Sequence, residues 1–446
     1  MSNIYRNKMS CRPEIFFRFG HFVSIISAML KIFTGRLKIV RLTMLIAMAG
    51  LILIGITAIY ASGNPKGPTE SSAFATSWKK QAVFALIGLA AFAVVNLTDY
   101  RRLGHSSYWI YTAVLLSLAI LLLGKVVNLQ PFVPVINGAC RWFRFGSANR
   151  YVQIQPSEFC KIAYILALAW YLRFRRNYRK FSGLIGPFAL TLLAMVLILF
   201  EPDLGTVLLM MPVLFCMLFV AGAKVKHLVL ILLMAAAVSP LLWHKMNLYQ
   251  RQRISCVLLQ SAAVRNKLKQ SPYLAKILTG REHFDQTQWL HGRGWQLQNS
   301  KAAIASGRLA GYGFGKGPYL KYDYLPARHN DFIFAIIAHQ WGFWGALVVL
   351  SLYAVIIGCG LEIAYLNTDA FARLISVGII SMFCVQVLVN VSMTLGLMPI
   401  TGLTLPLVSY GGSSLVVSMM ALGLLNNVGR HRPFSVAAKA FETKPH

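Results

Sequence analysis

Acidic residues are scarce in this chain. Thirteen Asp and Glu stand against 44 Lys and Arg in 446 residues, a formal net charge of +31. Charge of either sign is thin, at 13% of residues, where soluble domains carry about one quarter. That shortage argues against a soluble globular domain. The seven cysteines are single, with no Cys-x-x-Cys and no His pairing, which argues against a zinc module or a dithiol redox site. No run alternates apolar and polar residues with period two, so a membrane barrel is not indicated. No repeat of fixed period is present. No secretory signal stands out, because basic residues interrupt the early apolar stretch and no small-residue cleavage site follows.

What the chain does have is apolar length: 57% of residues are hydrophobic. Runs near twenty residues recur, each able to cross roughly 30 Å of hydrocarbon as a helix. They are Leu42–Ala61, Ala82–Leu97, Tyr108–Leu123, Phe159–Leu172, Gly183–Phe200, Leu204–Gly222, Leu228–Trp243, Phe332–Gly358, Leu374–Leu397 and Leu405–Val428. In lipid every backbone polar group needs an internal partner, so these runs are read as helices. The expected fold is all-α, a polytopic integral membrane protein with about ten transmembrane helices. It divides into a basic segment 1–41, a membrane domain 42–432 with a large loop 244–331 between the seventh and eighth spans, and a tail 433–446. Phe16–Phe33 could lie as an amphipathic interfacial helix.

Basic residues set the orientation. Arg101 and Arg102 follow the second span; Arg173, Arg175, Arg176, Arg179 and Lys180 the fourth; Lys224 and Lys226 the sixth; Arg430, His431 and Arg432 the last. These alternate as expected for a plasma-membrane protein with both termini cytoplasmic and the large loop outside. Between residues 246 and 330 that loop holds thirteen Arg and Lys against Glu282, Asp285 and Asp323. Such a field suits a phosphate-bearing partner or anionic membrane lipids. Nucleic acid is not expected on that side. Cys140 and Cys256 also fall outside, and free thiols are expected there in preference to a disulfide.

Four outer stretches carry polar groups that a membrane tolerates only beside a cavity. In the first, Asn137 to Gly146 leads into Gln155-Pro-Ser-Glu158 and Lys161. Glu158 and Lys161 stand three apart at a helix start and can share a face. The second is Glu201-Pro-Asp-Leu-Gly-Thr206, where Asp203 can cap the next helix. The third, Tyr324 to Ala335, places Arg328, His329 and Asp331 at the top of a span. The fourth runs from Pro399 to Ser414 and contains Thr401, Ser409, Gly411, Gly412 and Ser413. Its prolines and glycines interrupt the helix, Gly411 and Gly412 permit close backbone approach, and its serines can bind freed carbonyls. Capping and small-residue packing explain each stretch separately. A shared polar cavity explains all four together.

Taken together, PITGLTLP followed by SYGGSS, EPDLGT, QPSE with its Lys, and YLPxxHxDFIFA resemble the SEDS family, the FtsW/RodA/SpoVE group, from about Leu42 to Pro433. The resemblance implies a ten-helix peptidoglycan glycosyltransferase that polymerises lipid II into a growing glycan strand outside the membrane. Undecaprenyl pyrophosphate leaves, and a class B penicillin-binding protein cross-links the product. It implies a carboxylate base and charge stabilisation by Arg, Lys or a divalent cation, magnesium or manganese. Arg141, Lys161 and Arg328 would handle phosphate. Glu158, Asp203, His329 and Asp331 would organise the cavity. Thr401, Ser409, Gly411, Gly412 and Ser413 would shape its floor.

The chain departs from the family pattern in the loop. Gly292-Arg-Gly-Trp295 fits the family's GxGY, which puts Trp289 in the register of the family's Asp. Asp285 lies four residues earlier, after an insertion over Gln260–His283, and is the first candidate base, with Glu282 second. Cys140 stands where an Arg is usual, and His339 and Gln340 stand where two Glu are usual. These losses bring in a catalytically silent scaffold as one alternative. A flippase for lipid II is the other, since many-helix bundles with polar groups also serve transport. GLTLPL and GFGKGPYLKYDYLP lean toward the division branch and PITG toward elongation; the division branch is favoured.

Overall fold

The computed structural model describes residues 37–63, 76–127, 129, 132–135, 140–147, 150–174, 180–245, 248–280, 284–285, 287, 289, 293–322, 324–325 and 328–431. Outside these lie the expected interfacial helix Phe16–Phe33, the tail 433–446, Glu282, and the basic residues Arg175, Arg176 and Arg179. The first half comprises α1 (Lys38–Gly63), α2 (Ser77–Leu97), the short α3 (Tyr100–His105), α4 (Ser107–Val127) and a hairpin of β1 (Phe143–Ser147) and β2 (Arg150–Ile154). It continues through α5 (Pro156–Leu172), α6 (Ile185–Phe200), α7 (Leu204–Val220) and α8 (Val225–Lys245). The loop folds into α9 (Leu248–Leu258), α10 (Ala262–Gln270), α11 (Pro272–Thr279), α12 (Arg293–Gly307) and α13 (Pro318–Lys321). The chain then returns through α14 (Ile333–Leu366), α15 (Ala370–Thr394) and α16 (Gly412–Arg430).

Each of the ten apolar runs corresponds to a helix. Among the described residues, seven helices are long and apolar enough to cross a membrane: α1, α2, α4, Phe181–Phe200, α14, α15 and α16. Two are apolar but shorter, α7 and the Val225–Pro240 part of α8. The tenth, α5, has 17 residues and is buried along almost its whole length, carrying Glu158 and Lys161 inside.

Three features differ from expectation. The last span was expected from Leu405, but helix begins only at Gly412. Pro406 has no N–H to continue a helix, and Leu407 takes φ +67 while Gly402 takes φ +79. The span expected to end at Gly358 runs on to Leu366 and is kinked at Gly342, where φ is 63 and ψ −156. The hairpin β1–β2 was not expected; it pairs Phe143 with Ile154 through Ser147 with Arg150, antiparallel. One pair of five-residue strands is too short to stand out as a periodic pattern.

Side-chain contacts fix which helix ends lie together. Arg41 Nε donates to Asn426 Oδ1 at 2.8 Å, and Tyr100 donates to Asp369 Oδ2 at 2.9 Å. Asn427 Nδ2 donates to the carbonyls of Val95 at 2.8 Å, Asn96 at 3.1 Å, and Thr98. The starts of α1 and α15 therefore meet the ends of α2 and α16, opposite the loop. At the loop-bearing end, Leu297, Ala303, Leu320 and Leu325 pack with Phe332, Ala335 and Ile336 at the head of α14 and with Met393 and Ile400. The loop thus has its own apolar core seated on the helix ends. Cys140 and Cys256 are both buried.

Asn427 closes the orphan carbonyls at the end of α2, groups that burial makes costly to leave unmet. Asn427→Leu is expected to destabilise the protein by about 1–3 kcal/mol, read as a lower thermal midpoint in detergent. An unchanged midpoint would contradict this role.

Candidate functional site

The interrupted segment 399–411 is the centre of the loop-bearing end. Its backbone groups find partners on five other parts of the chain. Asn390 Nδ2 donates to Leu403 O at 2.7 Å, and Tyr353 OH donates to Pro406 O. Gln81 Nε2 donates to Ser409 O at 3.1 Å, while its Oε1 accepts from Gly411 N at 3.3 Å. Tyr410 N donates to His329 O at 2.9 Å, and Ser409 Oγ donates to Asn330 O at 2.8 Å. Ser409 Oγ also accepts from Leu405 N at 2.8 Å. Ser413 Oγ accepts from Gln155 N at 3.0 Å, tying the start of α16 to the end of β2. A Cβ on Gly412 would come 2.6 Å from the Phe84 ring, so the close approach expected there is real. Gly411 has more room, with its nearest neighbour Ser414 at 3.6 Å.

Three charged groups meet beside this segment. Arg253, on α9 of the loop, donates through Nη1 to Thr401 O at 3.0 Å. A Cβ built on Gly402 would lie 3.8 Å from both Arg253 Nη1 and Asp331 Oδ2. The glycine therefore leaves a gap bordered by a guanidinium and a carboxylate. Asn390 Nδ2 fixes the Asp331 backbone by donating to its carbonyl at 3.1 Å. Desolvation pushes the Asp331 carboxyl above the usual range; Arg253 pulls it down and Asp203 raises it further.

Asp203 caps α7 as expected, accepting from Thr206 N at 3.3 Å. Its Oδ2 accepts from Thr206 Oγ1 at 2.9 Å and Ser157 Oγ at 3.2 Å. Glu158 and Lys161 form a buried pair at 2.7 Å, sharing one face of α5 as their spacing implied. Arg141 donates from Nε to Glu201 O and from Nη2 to Pro202 O, each at 2.7 Å. Its guanidinium therefore holds the turn that presents Asp203. Arg328 is buried, and the His329 ring stands edge-on to Tyr410 with centroids 5.8 Å apart.

The loop places Asp285 differently. It is exposed and accepts from its neighbour Thr287 N at 2.8 Å. Trp289 packs against the loop core and sits under the Arg265 guanidinium at 5.4 Å. A Cβ on Gly294 would meet its ring at 2.5 Å, so the position serves packing. His339 and Gln340 are buried at the head of α14. His339 Nδ1 and Ser306 Oγ are 2.8 Å apart, and Gln340 Oε1 accepts from Gly315 N at 3.2 Å. They fasten the glycine-rich return 307–317 to the helix, a role for neutral side chains.

Gln81, Asn390 and Arg253 were not singled out from the sequence. For Gln81 and Asn390 a signal existed: each is an amide in an otherwise apolar run, a costly placement without a bonding role. Arg253 was one basic residue among many. Among the described residues no group of three or more His, Cys, Asp or Glu converges as a metal site.

The family model described as "Cell cycle protein", covering FtsW, RodA and SpoVE, matches residues 41–433. The chain belongs to this family. It is 32% identical to peptidoglycan glycosyltransferase RodA of Treponema pallidum, over 86% of this chain and 96% of that protein. It is 33% identical to stage V sporulation protein E of Bacillus subtilis, over 89% and 97%. A solved peptidoglycan synthase complex, described as coordinating polymerization and crosslinking, contains a similar chain with TM-score 0.67 and 29% identity, covering 87% of this chain and 96% of that one. Thermus thermophilus RodA matches with TM-score 0.59 and 27% identity, covering 87% and 97%. FtsW proteins match at 30–31% identity, so similarity does not separate the division branch of the family from elongation.

Glu201 gives the site a pH signature. It is buried, and its carboxyl is raised from 4.5 to about 9, first by desolvation, then by Asp203, against Arg141. Between those values the folded chain holds a proton that the unfolded chain has lost. Stability should therefore fall as pH rises across the window, by roughly 1.4 kcal/mol per unit at most. Glu201→Gln should flatten the dependence of thermal midpoint on pH between pH 5 and pH 8.5. A variant retaining the wild-type slope would assign the proton elsewhere.

Proposed function

We propose that this chain is a peptidoglycan glycosyltransferase that polymerises lipid II at the loop-bearing face of the membrane, releasing undecaprenyl pyrophosphate. The observation that carries the proposal is the gap at Gly402, bordered by Arg253 and Asp331 and close to Asp203. It combines a carboxylate of raised proton affinity with a cation, at the end of the helices where a lipid-anchored sugar would stand above its tail. Family membership supplies the substrate class.

In this reading a carboxylate takes the proton from the acceptor sugar hydroxyl, and that oxygen attacks the anomeric carbon of the donor sugar. The carbon–oxygen bond to the pyrophosphate breaks in the same displacement, inverting the centre. Arg253, with the buried Arg328 three residues before Asp331, offsets the charge growing on the departing pyrophosphate. Membrane anchoring of both substrates holds the reacting atoms close. Asp285, four residues out of the family register, is the base the sequence offers; desolvation and the neighbouring cation favour Asp331. Arg141, Glu158 and Lys161 act as positioning residues, since their charged groups are engaged within the protein. Thr401, Ser409, Gly412 and Ser413 frame the cavity.

The basic residues opposite the loop, Arg101, Arg102 and Arg430 among them, favour a cytoplasmic location for that face and for both termini. A class B penicillin-binding protein is the proposed partner. A flippase reading is less favoured, because the charged groups gather at one end of the bundle.

Purified protein supplied with lipid II in detergent should yield glycan chains. Asp331→Asn should lower the rate by about 100-fold or more, while Asp285→Asn should stay within about threefold. The reverse ranking would return the base to Asp285, and lipid movement in vesicles without polymer would favour transport.

A further inference from the structure

The insertion that separates α9 from α12 is a structured basic hairpin at the rim of the membrane. Helices α10 and α11 join at Ser271, whose Oγ accepts from Leu274 N at 3.4 Å. The hairpin buries Leu268 and Ala275. It is fastened at several points: Trp243 Nε1 donates to Ile277 O at 2.9 Å, and Ser255 Oγ donates to Leu278 O. Arg265 Nη1 donates to Leu259 O at 2.8 Å and Gln260 O at 2.9 Å. These contacts make it a fixed element of the fold.

Its height follows from Trp243. The apolar stretch of α8 ends at Pro240, and Trp243 is one helical turn further on, about 4.5 Å along the axis. Tryptophan at that level marks the boundary between acyl chains and headgroups. Residues 232–240 of α8 are all exposed, so lipid surrounds this helix along that length. The hairpin is bonded to the outer end of the span most open to lipid.

Its surface is charged in one sense only. Residues 262–279 contain four Arg and Lys and no Asp or Glu. Lys267 and Lys269 flank the buried Leu268 on α10 and are exposed; on α11 Tyr273 is 73% exposed and Leu274 is 39% exposed. Cationic side chains beside an exposed aromatic and an exposed aliphatic group form the pattern of a peripheral membrane contact.

We infer that the α10–α11 hairpin docks on anionic phospholipid headgroups of the leaflet at the loop-bearing face, with Lys267 and Lys269 against phosphate and Tyr273 and Leu274 at the acyl boundary. The docking braces α9, and with it Arg253, against the membrane plane. It holds whether or not the chain polymerises lipid II.

The test uses the full chain in nanodiscs of phosphatidylcholine alone or mixed with phosphatidylglycerol, read by amide hydrogen exchange. Each basic residue at an anionic surface is worth about fivefold in occupancy, so exchange over residues 262–279 should slow at least about threefold with phosphatidylglycerol. High salt should reverse the effect, and Lys267→Gln/Lys269→Gln should abolish it while α15 exchanges as in wild type. Equal rates in the two lipids would overturn the inference. So would the same slowing in the double variant, or protection by inorganic pyrophosphate in phosphatidylcholine discs, which would make the hairpin a substrate subsite instead.

Discussion

A helix broken inside a membrane protein frees amides and carbonyls that lipid cannot satisfy. Residues 399–411 are such a break, and the loop-bearing end is organised around meeting their needs. Gln81 from α2, Asn390 from α15, Tyr353 from α14 and Arg253 from the loop each bond to this segment. The His329–Asn330 turn adds two more bonds. Because every one of these groups comes from a different part of the chain, the segment cannot form its structure alone. The same bonds bring Arg253 and Asp331 to either side of Gly402. The need to satisfy backbone polar groups and the assembly of a charged gap are one event in this fold.

The electrostatics of the gap follow from its depth. Asp203 accepts three hydrogen bonds and caps the N-terminus of α7. Glu201, two residues away and buried, lacks such donors and takes up a proton. Asp331 lies between these cases, desolvated but opposite Arg253. Two carboxyls in one region, Glu201 and Asp331, are thus raised above the usual range, each by what surrounds it. That division of roles suits a reaction in which one group must accept a proton while its neighbours stay fixed.

Much of this region was legible in the chain. The i,i+3 spacing of Glu158 and Lys161 predicted a shared face, and they pair. Asp203 before Leu204 read as a cap, and it caps. Gly412 read as a close-approach glycine, and the Phe84 ring occupies the space. Each rests on short-range geometry. The loop was less legible. Asp285 and Trp289 differ by four positions, yet one is exposed and the other packs into an apolar core. Residue type and spacing do not carry that information, because the loop core is built with side chains from α14 and α15. His339 and Gln340 read as lost charges; they serve as neutral fasteners for the return 307–317.

The sequence by itself determined the membrane class, the location of most apolar helices and the family, since apolar length and local motifs are properties of contiguous residues. It also indicated an interruption of the helix between Pro399 and Ser414, because Pro lacks an N–H and Gly tolerates positive φ. Only the tertiary structure decided which carboxylate lies in the gap, which arginine faces it, and that the basic insertion is a fixed hairpin beside α8. Those outcomes depend on contacts between residues tens to hundreds of positions apart. Burial and hydrogen bonding at such distances are set by the packed helices, and no local pattern encodes them.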